Sequence, residues 1–412
     1  MVSSRIDKEV AKRKLASIHQ REISFQKKKS HNKADSDSSS DFVKQNPFGR
    51  CPDVSSQYEK LNRIGEGTYG IVYRARDVKT DTIVALKRCL PHHQATDGFP
   101  ITTLREISLL RELCSHPHIV TLLEVAVLAK PSGVFLVFEY AKHDLARLVD
   151  DIYSTRGKSP FGLAEVKCLS AQLLDALHFL HKKCIIHRDI KLSNLLYDDS
   201  KGHLQLADFG LARRYGHGVS DNLAENNNQN HNNNHDNNEE QQITKNGLDT
   251  DYHKTNNLTP NVVSLWYRPP ELLLGSDSYT YGVDVWGTGC AISELILGFP
   301  LIKGTNEMDQ LKKIFDLLGI PTNKTWPNFE QLSLIQNGTV NISSLSQKIH
   351  SNKTLLDRLG HLSNHGIQLI TSFFRYDPDA RISASQALQS RFFKEHPLPT
   401  ESQFMPTFPS QY

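Results

Sequence analysis

The sequence predicts an α+β protein of two lobes, a β-rich one first and a mostly helical one after it. Three observations predict it. Apolar runs of strand character crowd the stretch from Tyr58 to Glu139. Beyond Asp144 apolar residues recur at i, i+3 and i+4. Two further stretches, residues 1–57 and 221–257, are too polar to join a core. Strands first and helices after is the order of segregated layers rather than of alternating βαβ units.

Residues 1–57 are rich in Lys, Ser, Asp, Gln and Asn, and the run Ser36–Asp41 can bury nothing. They are expected to be a disordered basic extension, with at most a weak helix across Ile6–Ile18. From Tyr58 the texture changes. Tyr58–Ile64 and Ile71–Arg76 read as strands around a glycine-rich turn, and the polar turn Asp77–Thr82 leads to a third strand, Ile83–Arg88. Residues 100–114 have helical period and end near His116-Pro117. Leu122–Val127 and Val134–Glu139 are two more strands. Leu163–Lys182, Tyr281–Leu297 and Glu307–Leu318 come next as amphipathic helices. The expected lobes are residues 58–140 and 141–393, with 394–412 a C-terminal tail. The second lobe is interrupted at 221–257, where ten Asn fall between 222 and 238, and this insertion is expected to be disordered.

Composition narrows the function classes. Hydrophobic content is 38% and net charge only +3, so a sizeable core is allowed and no polyanionic partner is demanded. Residues 1–40 hold ten Lys/Arg against five Asp/Glu, which leaves the rest of the chain slightly acidic. The clusters Lys12–Lys14 and Lys27–Lys29 fit nuclear-import signals or a merely solvated tail, so the expected location is nucleus or cytoplasm. The tail lacks interleaved aromatics, so direct nucleic-acid binding is not expected. Six cysteines form no CxxC pair and read as reduced thiols. The opening Met1–Arg5 has no apolar run, so no signal peptide is expected, and no stretch of 18 apolar residues suggests a membrane partner.

Four motifs carry chemistry. In Gly65-Glu-Gly67-Thr-Tyr-Gly70-Ile-Val72, glycines let the backbone approach phosphates, and the motif sits between two strands, which argues against a Rossmann turn. Val84-Ala-Leu-Lys87 lies on the next strand, where the Lys can reach α/β-phosphates and pair with Glu106 on the helix after it. His187-Arg188-Asp189-Ile-Lys191-Leu-Ser-Asn194 supplies Asp189 to take the substrate hydroxyl proton, Lys191 to neutralise the γ-phosphate and Asn194 as a Mg²⁺ ligand. Asp208-Phe209-Gly210 supplies a second Mg²⁺ ligand, a carboxylate. One such motif alone is weak; four in this order are not chance.

From Tyr58 to about Phe393 the chain resembles eukaryotic protein kinases, which implies the two-lobed protein kinase fold, transfer of the ATP γ-phosphate to protein Ser/Thr, and Mg²⁺. Arg268-Pro-Pro270-Glu271 resembles the family's A-P-E, with Arg381 the implied buried partner of Glu271 and Asp284 a brace for the catalytic loop. The resemblance implies an ATP site of Ile64, Gly65, Glu66, Gly67, Thr68, Tyr69, Gly70, Ile71, Val72, Ala85 and Lys87, with Phe138 as gatekeeper, Glu139, Tyr140 and Ala141 as hinge, and Asp144 by the ribose.

Gly98-Phe-Pro100-Ile-Thr-Thr-Leu-Arg105-Glu106 is similar to the cyclin-contacting helix of the cyclin-dependent kinases. A MAP kinase would carry Thr-x-Tyr before the Pro-Pro-Glu region; here that stretch reads Leu258-Thr259-Pro260. The resemblance implies a cyclin partner, of the M type, and an activating kinase acting on Thr259, whose phosphate would meet Arg105, Arg188 and Arg213. It implies inhibitory phosphorylation at Thr68 and Tyr69, a preference for Ser/Thr-Pro protein substrates shaped by Val262, Val263 and Arg268, and a role in cell-cycle or transcription-linked control. In the chain alone the helix bearing Glu106 is expected to sit turned away, leaving the Lys87–Glu106 pair unmade.

The chain departs from the family's pattern in three places. Leu192-Ser193 replaces Pro-Glu, and Ser264 replaces a Thr but keeps a hydroxyl able to bridge Asp189 and Lys191. The 63 positions from Asp208 to Glu271 are more than twice the family's usual spacing. Loop-closure entropy grows only logarithmically, so that insertion costs the fold about 1 kcal/mol or less. The rival reading is a non-catalytic scaffold; against it, Lys87, Glu106, Asp189, Asn194 and Asp208 are all present.

Overall fold

The computed structural model describes residues 51–67, 70–89, 101–128, 133–215, 264–276, 280–342 and 355–410. The expectations for residues 1–50, for the insertion at 221–257, and for Thr68, Tyr69, Thr259, Val262 and Val263 lie outside them.

Five antiparallel strands build the first lobe: β1 (Tyr58–Gly67), β2 (Gly70–Asp77), β3 (Ile83–Cys89), β4 (Leu122–Leu128) and β5 (Gly133–Glu139), in sheet order β1-β2-β3-β5-β4. Each sequence-predicted strand is present and one to three residues longer, because backbone pairing continues past the apolar run. Period-2 alternation turns Val84 and Leu86 into the core and leaves Ala85 and Lys87 on the cleft side. The helix predicted over 100–114 is α1 (Ile101–Leu113), and it packs against the turn Phe209–Leu211.

The second lobe is carried by α2 (Leu145–Arg156), α3 (Leu163–Lys182), α4 (Gly282–Leu297), α5 (Glu307–Leu318) and α6 (Asn364–Phe373). Helix α4 is buried nearly all round, with Trp286 wholly covered. It stops at Gly298, in the left-handed region at φ 82°, where a side chain would also strike the Tyr153 ring. Small strands pin the lobe's upper surface: β6 (His143–Asp144), β8 (Leu195–Asp198) and β9 (His203–Leu206) form one sheet, and β7 (Ile185–Ile186) pairs with β10 (Arg213–Arg214). The Arg381 guanidinium grips both oxygens of buried Glu271, each at 2.6 Å, as the resemblance implies.

Two expected boundaries differ. Residues 51–57 belong to the folded lobe rather than the extension. Asp53 bridges to Val127 and caps the helical turn Val54–Gln57, Val54 is buried, and Gln57 bonds Glu124. Residues 394–410, expected as a C-terminal tail, pack onto the second lobe. The buried Lys167 ammonium donates to the Glu395 carbonyl at 2.9 Å, Tyr197 Oη donates to the Pro406 carbonyl at 2.7 Å, and Met405 is buried. In both segments non-local partners satisfy backbone and apolar groups that no local pattern announces.

All six cysteines are free thiols. Among the described residues no helix is long and apolar enough to cross a membrane.

Candidate active site

The lobes meet at a cavity of about 640 Å³. Its roof is the β1–β2 hairpin, where Gly65 pairs with Val72 and Gly67 with Gly70. Ile64, Gly65, Glu66, Gly70 and Val72 line the cavity. Gly70 has a packing reason as well: a Cβ there would lie 2.5 Å from the Arg88 carbonyl oxygen. Ile71, expected in the site, is not among the lining residues. It is buried, and strand alternation sends its side chain to the other face from Gly70 and Val72. Gly67 contributes its backbone pairing to the hairpin.

Phe138, Glu139, Tyr140, Ala141 and Asp144 form the rear edge, as expected. Asp144 also caps α2, accepting the Ala146 and Arg147 amides at 2.9 and 3.1 Å. Burial pushes its carboxyl up, against those bonds.

At the centre, Lys87 Nζ lies 2.7 Å from Glu106 Oε1 and 2.8 Å from Asp208 Oδ1. Burial alone would lower the ammonium's pKa, but the two carboxylates, Asp208 foremost, hold it above the usual lysine range. Burial likewise opposes the charge on Asp208, and Lys87 overrides it, so that carboxyl sits below its ordinary value; at Glu106 burial wins and the carboxyl sits above.

The backbone of the catalytic loop is held by a buried aspartate. Asp284 accepts the His187 amide at 2.8 Å and the Arg188 amide at 2.7 Å, with His181 Nε2 at 3.1 Å. This fixes Arg188 at φ 69°, a region a non-glycine residue enters only when its surroundings insist. His187 is wholly buried and burial lowers its pKa; Nε2 faces the Ala207 carbonyl and the ring meets Phe209 edge-on at 4.9 Å. Asp189 Oδ2 accepts from Lys191 Nζ at 2.6 Å and from Asn194 Nδ2 at 3.0 Å. Lys191 also donates to Ser264 Oγ at 3.0 Å, so the serine keeps the expected bridge. Among the described residues Asp189 Oδ1 has only long contacts, 3.4 and 3.5 Å, both from Ser264.

Two hard oxygen donors line the cavity here. Asp208 offers its carboxylate, and Asn194, whose amide nitrogen is engaged by Asp189, offers its carbonyl oxygen. That set fits Mg²⁺ sharing its shell with phosphates and water. Among the described residues no cluster of three or more His, Cys, Asp or Glu forms a self-sufficient metal cage.

Of the three arginines, Arg188 Nε donates to the Leu211 carbonyl at 2.6 Å, and Arg213 pairs opposite Ile186, two residues before Arg188. Arg105 is on α1, the helix that packs on the Phe209–Leu211 turn. All three therefore come from elements that abut that turn, while Thr259 lies outside the described residues.

Residues 58–232 and 230–393 match the family model for the protein kinase domain. The chain is 43% identical to human cyclin-dependent kinase 10 over 362 residues, 88% of this chain and 86% of the relative. The chain belongs to the cyclin-dependent kinase family. It is 39% identical over 360 residues to cyclin-dependent kinase G1 of Arabidopsis thaliana, covering 86% of this chain and 52% of that one. It is 38% identical over 357 residues to cyclin-dependent kinase G-2 of Oryza sativa, covering 86% and 44%. As a cyclin-dependent kinase it is a serine/threonine kinase by family.

For a cyclin-dependent kinase without its cyclin, α1 is expected turned away. The structure differs: the Lys87–Glu106 pair is closed. An ammonium flanked by two carboxylates in a buried pocket is better compensated than three separated buried charges. Sequence reasoning also missed the apolar lining of this kinase's cleft, Val120, Leu196, Ala207 and Leu211. Ala207 precedes Asp208 and Leu196 stands two after Asn194, so the signal lay in their nearness to the motifs.

Proposed function

We propose that this cleft binds Mg·ATP and passes the γ-phosphate to a protein serine or threonine, preferring sites with proline as the next residue. One observation carries the reading: Asp189 lines the cavity with Oδ2 held by Lys191 and Asn194, while among the described residues Oδ1 has no contact closer than 3.4 Å. A carboxylate locked through one oxygen can accept a hydroxyl proton with the other. Lys191, bridging Asp189 and Ser264, lies where charge builds on the transferred group. Lys87, fixed by Glu106, is placed for the α/β-phosphates. Bound at Asp208 and Asn194, Mg²⁺ would supply charge neutralisation at the phosphates.

The reading includes activation by a cyclin, taken as the M type. Residue Leu104 of α1 is 53% exposed and offers an apolar contact on the helix the family uses for that partner. It includes phosphorylation of Thr259 by a second kinase, inhibition through Thr68 and Tyr69, action in the nucleus or cytoplasm, and a part in cell-cycle or transcription-linked control.

The test is transfer from Mg·ATP to a Ser-Pro peptide by the chain alone and with a panel of cyclins. Transfer is expected with one cyclin, and Asp189→Asn is expected to lower it by about two to four orders of magnitude. No transfer with any cyclin, after Thr259 phosphorylation, would favour a scaffold instead.

A further inference from the structure

The strand that carries Asp144 into the cavity is only two residues long, His143–Asp144. One residue, Lys142, separates it from the hinge residues Tyr140 and Ala141, and its sheet partners are Leu196 and Tyr197 of β8. So short a strand owns few backbone bonds, and its position depends on what stands behind it.

Behind it stands Asp199, in the β8–β9 turn and buried. Its Oδ1 accepts from Lys142 Nζ at 2.8 Å, and its Oδ2 lies 3.4 Å from His143 Nε2. The same Oδ2 accepts the backbone amide of Phe408 at 3.1 Å, from a residue 209 positions away. The Phe408 ring then meets the His143 ring at 5.9 Å, Phe161 at 5.6 Å and Tyr197 at 6.2 Å, all at the steep angles of edge-to-face contact. Tyr197 Oη closes the arrangement on the Pro406 carbonyl. A buried carboxylate persists only while donors hold it, and one of its donors comes from the C-terminal segment.

We propose that residues 406–410 are a positioning element for nucleotide binding, latching the hinge from behind through Asp199. This rests on the reading of the cavity as the ATP site. The segment touches no reacting atom. It fixes Lys142 and His143, and through them the backbone of Ala141 and the carboxylate of Asp144. Loss of the latch therefore weakens binding of ATP in ground and transition state alike, which raises KM and leaves kcat.

The experiment compares the full chain with Phe408→Ala, Phe408→Leu and, as a tail control away from the latch, Phe404→Ala. Phe404 is 70% exposed. Titration with a fluorescent ATP analogue gives Kd, and peptide phosphorylation gives KM for ATP and kcat. Phe408→Ala is expected to raise Kd and KM by about five-fold with kcat within about two-fold, because this is a uniform-binding loss. Phe408→Leu is expected to restore most of the affinity, and Phe404→Ala to change nothing. Should Phe408→Ala fail to fold, Asp199→Asn carries the same expectation. Unaltered Kd in the folded latch variants, or an equal effect from Phe404→Ala, overturns the latch alone. A wild-type chain that binds no analogue overturns the reading of the cavity, and the latch with it.

Discussion

Asp284 and Asp199 are both buried aspartates that steady a backbone segment beside the same cavity, one below the catalytic loop and one behind the hinge. Burial opposes the charge on each, and donors outweigh it on each: His181 first for Asp284, Lys142 first for Asp199. They differ in where the donors come from. Asp284 takes two adjacent backbone amides and an imidazole, all buried. Asp199 also has a buried imidazole, His143 at 3.4 Å, but its closer donors are a half-exposed ammonium and an amide from the C-terminal segment. The first arrangement cannot be loosened without unfolding its surroundings, whereas the second can be tuned by a terminal segment. Glu294 marks the limit of the contrast. Among the described residues its carboxylate accepts one hydrogen bond, from the Tyr267 hydroxyl; burial dominates, and its carboxyl is pushed up to about 7.

The largest effect is expected at Asp284. Asp284→Ala strips the acceptor from two buried amides at about 1–3 kcal/mol each, so stability falls by on the order of 4 kcal/mol. The melting temperature is expected to drop by roughly five degrees, and kcat to fall with it as Arg188 leaves its left-handed conformation. A variant that melts like the wild type would break the contrast.

Glu294 gives a pH effect of intermediate size. Its native pKa, about 7, lies above the ordinary 4.5, so the native state holds the extra proton between those values. The stability tied to it is present in full below the lower value and is lost as pH rises through the upper one, by up to about 3 kcal/mol. Urea midpoints at about pH 5 and about pH 8 measure it, and Glu294→Gln should flatten the difference. An equal slope in that variant assigns the proton elsewhere.

The smallest effect is expected at Lys142. Its side chain is 45% exposed, so Lys142→Ala should cost stability no more than about 1 kcal/mol by thermal melt. A larger loss would show that Asp199 is as unforgiving as Asp284.

Residue order alone specifies the element types and most side chains of the cleft. Strand and helix periods are local, so β3, α1 and α3 can be read within a residue or two. The chemistry-bearing residues, Lys87, Asp189, Asn194 and Asp208, stand out because each motif packs several of them into a few positions. Asp284 is legible the same way, inside Val-Asp-Val-Trp. Asp199 is not, because its partners are 56, 57 and 209 positions distant and no local pattern links them. That residues 51–57 and 394–410 join the fold, and that the Lys87–Glu106 pair is closed, emerges only from tertiary packing. Extended segments without periodicity owe their order to non-local bonds, and a buried charge settles where opposite charges from other elements meet it.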